Sequence, residues 1–100
     1  QIGNTAHLMD AGYDTGPIIN IEKLSFPKKS NYVYIRVEVY VRGFKLAVKV
    51  LKDIKLRGLR NKDMTKQTIQ EGKYWEPIPI ELERKAIDKA NNSDYKYQLL

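Results

Sequence analysis

The chain has a single histidine, His7, and seven residues later an aspartate, Asp14, followed at once by Thr15-Gly16-Pro17 and a pair of isoleucines. A carboxylate close to an imidazole is the equipment of proton transfer, in which one group holds or orients a proton for the other. The same residues also admit plainer readings. Asp14 can cap the turn before Gly16-Pro17 through its own backbone, and a histidine on a strand can serve as a hydrogen-bonded core residue. With one histidine and no cysteine, neither a metal site of paired histidines or thiolates nor a Cys-His dyad can be assembled. Between the two candidates lies Asp10-Ala11-Gly12-Tyr13, small enough at Ala11 and Gly12 for a flat ring to lie against exposed backbone. An ordinary flexible connection fits those four residues equally well.

Two short strands must hold these groups. Thr5 to Met9 partly alternates, and Ile18 to Phe26 is isoleucine-rich with polar residues between, so both read as strands around the connection from Asp10 to Pro17. That connection is long for a hairpin. Pro17 bars helix at Gly16 and sets a shaped turn. Pro27-Lys28-Lys29 ends the second strand, and Ser30 is the expected helix cap.

The next segment gives conflicting signals. Val33, Ile35, Val37, Val39 and Val41 alternate with Tyr32, Tyr34, Arg36, Glu38, Tyr40 and Arg42, a strand by period and by propensity. From Phe44 the spacing of Leu46, Ala47, Val50, Leu51 and Ile54 is that of an amphipathic helix. One face can be drawn through both halves by Ile35, Val39, Leu46, Val50 and Ile54, and a single helix from Val33 to Ile54 is expected on that ground and on the resemblance given below. Lys55 to Lys73 reads as loop with a short strand near Thr65 to Ile69. Tyr74-Trp75 before two prolines reads as a packing anchor. Glu81 to Ala90 reads as a short helix, with Leu82, Ala86, Ile87 and Ala90 on one face, and the residues through Leu100 as a frayed end.

The run His7-Leu8-Met9-Asp10-Ala11-Gly12-Tyr13-Asp14-Thr15-Gly16-Pro17-Ile18-Ile19 resembles the folate-dependent formyltransferases, in which a strand carrying His is followed by Asp-x-Gly-Pro and a second apolar strand. The similarity covers Gly3 to Ile54 by pattern, and faintly Gln67 to Pro79, where family members carry Gln, then Gly, then Tyr and prolines. It implies an α/β formyltransferase-fold domain of which residues 1–100 are the C-terminal part, a partial domain of two strands, a long helix and a short C-terminal helix (an α+β fragment). It implies 10-formyltetrahydrofolate as formyl donor and a small amine as acceptor, with phosphorylated or nucleotide-linked amines among the candidates. Asp14 then takes the place of the catalytic acid and His7 that of a supporting group. Asp10, Ala11, Gly12 and Tyr13 match the loop that contacts the pterin through main-chain groups. The family's catalytic Asn and second His are expected upstream of Gln1, so the chain by itself is expected to be inactive. A formyltetrahydrofolate hydrolase, with water as acceptor, is the nearest alternative.

Size and charge narrow the remaining choices. A chain of 100 residues buries only about 60 to 65% of its unfolded surface, so the core is thin. No apolar run approaches the ~20 residues of a membrane span, and with no cysteine the cytoplasm is the expected compartment. The net charge of +6 is concentrated, with seven cations between Arg42 and Arg60. Arg42, Lys45, Lys49, Lys52 and Lys55 read as the wet side of the helix, and a non-catalytic module binding acidic partners is the rival function from another class. No RNA-binding signature accompanies the tyrosines, so nucleic acid is not the expected partner. An unpaired strand edge and an uncovered apolar face lead to an expectation of homo-oligomers, formed through the two strands or the long helix.

Overall fold

The computed structural model describes residues 2–68 and 76–92. The elements run β1 (Gly3–His7), β2 (Ile18–Lys23), α1 (Tyr32–Arg57), a single 3-10 turn (Asn61–Asp63) and α2 (Ile80–Asn91), a small α+β arrangement. The expected anchor at Tyr74-Trp75, the far end of a strand at Ile69 and the tail to Leu100 lie outside the described residues.

β1 and β2 pair antiparallel, from Gly3 opposite Lys23 to His7 opposite Ile18, with an irregularity between Ala6 and His7. The first strand therefore starts and ends two residues before the stretch expected from Thr5 to Met9. Met9 is 92% exposed, and the last rung is the bond that Leu8 N–H donates to Pro17 O at 3.0 Å. Regular pairing in β2 stops at Lys23, and the apolar residues that continue it, Leu24 and Phe26, go into the core.

α1 is one continuous helix through the alternating segment. The outcome follows from geometry: residues two apart on a helix point about 200° apart at 3.6 residues per turn, so a period-two apolar pattern serves opposite faces. Ile35 and Val39 turn toward β2 and α2, joining Leu24, Phe26, Ala90 and the partly buried Ile2 and Tyr32. Leu46 and Val50 are buried further along. Val33, Val37 and Val41 are left outside. Gly43 lies in mid-helix, where glycine costs about 1 kcal/mol relative to alanine, because Asn4 of β1 passes there. A Cβ at Gly43 would stand 3.2 Å from Asn4 Oδ1, while Asn4 Nδ2 donates to Val39 O at 3.0 Å.

The cap is a correction. Asn31, not Ser30, precedes the helix, and its Oδ1 accepts from Tyr34 N–H at 2.8 Å. Ser30 is buried and its hydroxyl donates to Pro27 O at 2.6 Å, closing the turn that leads into the helix. A second free N–H of α1, that of Tyr32, donates to Asn91 Oδ1 at 2.9 Å, so the end of α2 caps the start of α1 across 59 positions. α2 begins one residue earlier and ends one later than expected, and its buried side is narrower: Ala90 is buried and Ile87 half-buried, but Leu82 and Ala86 are exposed.

Candidate active site

The ten residues between β1 and β2 form a loop fastened at several points. Leu8 and Pro17 join its base. Asp10 Oδ1 accepts from Gly12 N–H at 3.0 Å and from the Thr15 hydroxyl at 2.6 Å, which folds the tip back on itself. Ile18 and Thr65 exchange backbone hydrogen bonds at 2.7 and 2.8 Å as one isolated bridge, so of the short strand expected near Thr65 to Ile69 only this rung forms among the described residues. From there Gln67 Nε2 donates to Asp14 O at 3.0 Å and to Gly16 O at 2.7 Å. Gly16 is buried, and a Cβ on it would collide with the Leu8 carbonyl oxygen. Only glycine allows the two arms of the loop to approach this closely.

Asp14 sits at the far side of this frame with a φ of 54°, in the left-handed region where Asp and Asn are among the few tolerated side chains. Its carboxylate is 95% exposed, and Oδ1 lies 3.6 Å from His7 Nε2. Among the described residues it makes no hydrogen bond to the loop backbone. The turn-capping carboxylate is Asp10, so Asp14 is left to face the imidazole and solvent.

The ring of His7 is mostly covered, at 23% exposure. Its Nδ1 is 2.8 Å from Leu8 O, an acceptor without a hydrogen to give, so Nδ1–H donates and fixes the tautomer. In the neutral ring Nε2 is then an acceptor, facing a second acceptor on Asp14 across a gap too wide for a direct hydrogen bond. Two acceptors on either side of such a gap suit a molecule that brings N–H or O–H groups of its own.

The structure thus brings His7 and Asp14 together and sets Asp10, Ala11, Gly12 and Tyr13 on an exposed rim beside them. Asp10 is engaged inside the loop, so what this rim offers a ligand is backbone around Ala11 together with the Tyr13 side chain, 85% exposed. Sequence spacing alone singles out neither Gln67 nor Thr15. Gln67 lies 53 positions from Asp14, and the only signal for it was the faint family-like run from Gln67 to Pro79.

Asp10 carries a pH prediction. The Thr15 hydroxyl first, and Gly12 N–H second, hold its carboxyl below the ordinary aspartate value of 3.8. A lowered value in the folded state contributes stability that is complete above 3.8 and lost as pH falls through the folded value. The carboxyl-carbon shift of Asp10 is therefore expected to show its own protonation step only below about 3.8. A transition centred near pH 5 would show that Asp10 does not hold the loop.

Elsewhere, among the described residues, no group of three His, Cys, Asp or Glu side chains could hold a metal ion, and no helix is long and apolar enough to cross a membrane. The cations Arg42, Lys45, Lys49, Lys52 and Lys55 are all exposed along α1. Compared with known protein-family models, curated protein sequences and solved structures, the chain has no match.

Proposed function

We propose that this chain is the C-terminal portion of a 10-formyltetrahydrofolate-dependent formyltransferase that moves a formyl group to an amine. The observation that carries the reading is the pairing of Asp14 with His7 at 3.6 Å on a loop whose backbone is clamped from both sides. In formyl transfer a bond forms between the acceptor nitrogen and the formyl carbon, the bond from that carbon to the folate nitrogen breaks, and a proton passes from the first nitrogen to the second. A charged, exposed carboxylate can take up that proton or order a water that relays it. His7 is held by Leu8 O so that Nε2 points at the same space, which makes it a positioning partner of Asp14. The exposed Asp10 to Tyr13 backbone fits the wall against which a flat heteroaromatic ring would lie. By the resemblance, stabilisation of the oxyanion belongs to the Asn and second His expected in the upstream half. The isolated chain is accordingly assigned no transfer activity of its own.

Ligand binding separates this reading from a basic binding module. In the full-length protein, Ala11→Trp is expected to weaken binding of a tetrahydrofolate at least tenfold by filling the space over the loop, with heparin binding unchanged. Salt-sensitive heparin binding together with folate affinity indifferent to Ala11→Trp would favour the module and remove the loop from the site.

A further inference from the structure

Gln67 reaches the loop from a segment 51 residues beyond Gly16 and 53 beyond Asp14. Ile18 and Thr65 exchange both of their backbone bonds in an antiparallel bridge. In an antiparallel ladder such doubly bonded pairs recur at every second residue, so the next pair would be Gly16 with Gln67. Among the described residues that pair makes no backbone bond. The Gln67 side chain stands in for the missing rung: Nε2 donates to Gly16 O at 2.7 Å and to Asp14 O at 3.0 Å. A carboxamide nitrogen carries two hydrogens, and both are taken.

The substitution of side chain for main chain bears on Asp14. A ladder continued by the backbone would draw this segment into extended conformation, whereas Asp14 has a φ of 54°, a left-handed geometry that a residue with a Cβ does not hold without support. The fork from Gln67 gives that support. Among the described residues, the bond from Nε2 is the one hydrogen bond of the Asp14 main chain. The tip of the loop has separate tethers, from Asp10 Oδ1 to Gly12 N–H and to the Thr15 hydroxyl.

We propose that Gln67 is a positioning residue of the reaction: its carboxamide fixes the left-handed turn at Asp14 and so sets the carboxylate 3.6 Å from His7 Nε2. The catalytic part of this role rests on the formyl-transfer reading, and the hold on the turn does not. Because Asp10 keeps the tip folded without Gln67, loss of the fork disturbs the group that handles the proton and leaves the ring-binding wall in place. The effect therefore belongs in kcat.

Gln67→Leu in the full-length protein removes both donors at similar length. It is expected to lower kcat at least about tenfold, since small misplacements of a reacting group can cost about 100-fold, with KM for folate and amine changed less than about twofold. Made in the Asp14→Asn protein, the same substitution should cost less than about twofold more, because the group that it positions is already lost. Gln67→Glu, ionised at neutral pH and without a donor, should act as Gln67→Leu does and serves if the first variant fails to fold. In the 100-residue chain, the strong intraresidue amide-to-Hα NOE of a left-handed Asp14 should be present and should weaken in both variants. A parent-like kcat, a rise in KM alone, or an undiminished tenfold loss in the Asp14→Asn background would overturn the positioning role. Absence of transfer by the parent would overturn the formyl-transfer reading and with it the catalytic part. The NOE then decides the rest: its loss in the variants supports the hold of Gln67 on Asp14, and its persistence overturns that hold.

Discussion

Replacing Asp14 by Asn in the full-length protein is expected to lower turnover by at least about 100-fold, the usual contribution of a positioned acid or base, with the fold unchanged. Two features of the structure make the substitution clean. The carboxylate is 95% exposed and faces only His7, so no loop hydrogen bond depends on its charge. The backbone φ of 54° is one that Asn adopts as readily as Asp. Because the proton-holding group acts in the reaction step, the loss should appear in kcat, with KM for the acceptor amine changed little. Turnover within threefold of the parent would reduce Asp14 to a turn residue and remove the catalytic reading.

The largest effect on stability is expected at Gly16. Gly16→Ala places a methyl group against the Leu8 carbonyl oxygen and carbon, two backbone atoms that have no rotamer by which to move aside. To relieve the clash, the Leu8 to Pro17 bond must lengthen and Gln67 must lose its hold on Gly16 O. A loss of roughly 3 kcal/mol is expected, at the upper end of overpacking costs, measurable as a lower midpoint in urea at an unchanged slope. Since the same movement shifts Asp14 relative to His7, activity of the full-length protein should fall together with stability. An unchanged urea midpoint would mean that the loop has slack and does not fix the geometry of the pair.

The parts of this fold that were legible in the sequence are those with local causes. Apolar spacing and the Gly-Pro turn placed both strands and the connection, and the 3.6-residue period after Phe44 placed the second half of α1. The first half was ambiguous for a physical reason. Valine at every second position is what a strand requires, and it is equally what a helix shows when one side is buried and the other is apolar and open. Val33 and Val37 belong to that open side, and nothing in their types separates the two cases. The cap fell to Asn31 rather than Ser30 because Pro27 O claims the serine hydroxyl, a contact set by the preceding turn. Leu82 and Ala86 were expected to be inward with Ala90, yet both are exposed, because α2 joins the core only near its end, at Ala90, where Asn91 reaches Tyr32. At the site, the family resemblance singles out Asp14 as the catalytic acid, paired with an expected upstream His and with His7 only as a supporting group; the 3.6 Å contact of Asp14 with His7 itself is a finding of the structure. The clamp by Gln67 is likewise a finding of the structure, because a contact across 53 residues leaves no periodic trace.

The account stands most directly on one assay: release of tetrahydrofolate from 10-formyltetrahydrofolate by the full-length protein, followed with a panel of amine acceptors and with none. The expected result is release that requires an amine and that falls with Asp14→Asn. Release of formate without an amine would make the enzyme a hydrolase using the same pair. No release of tetrahydrofolate under any of these conditions, from protein that is folded and binds the donor, would contradict the assignment of His7 and Asp14 to formyl transfer.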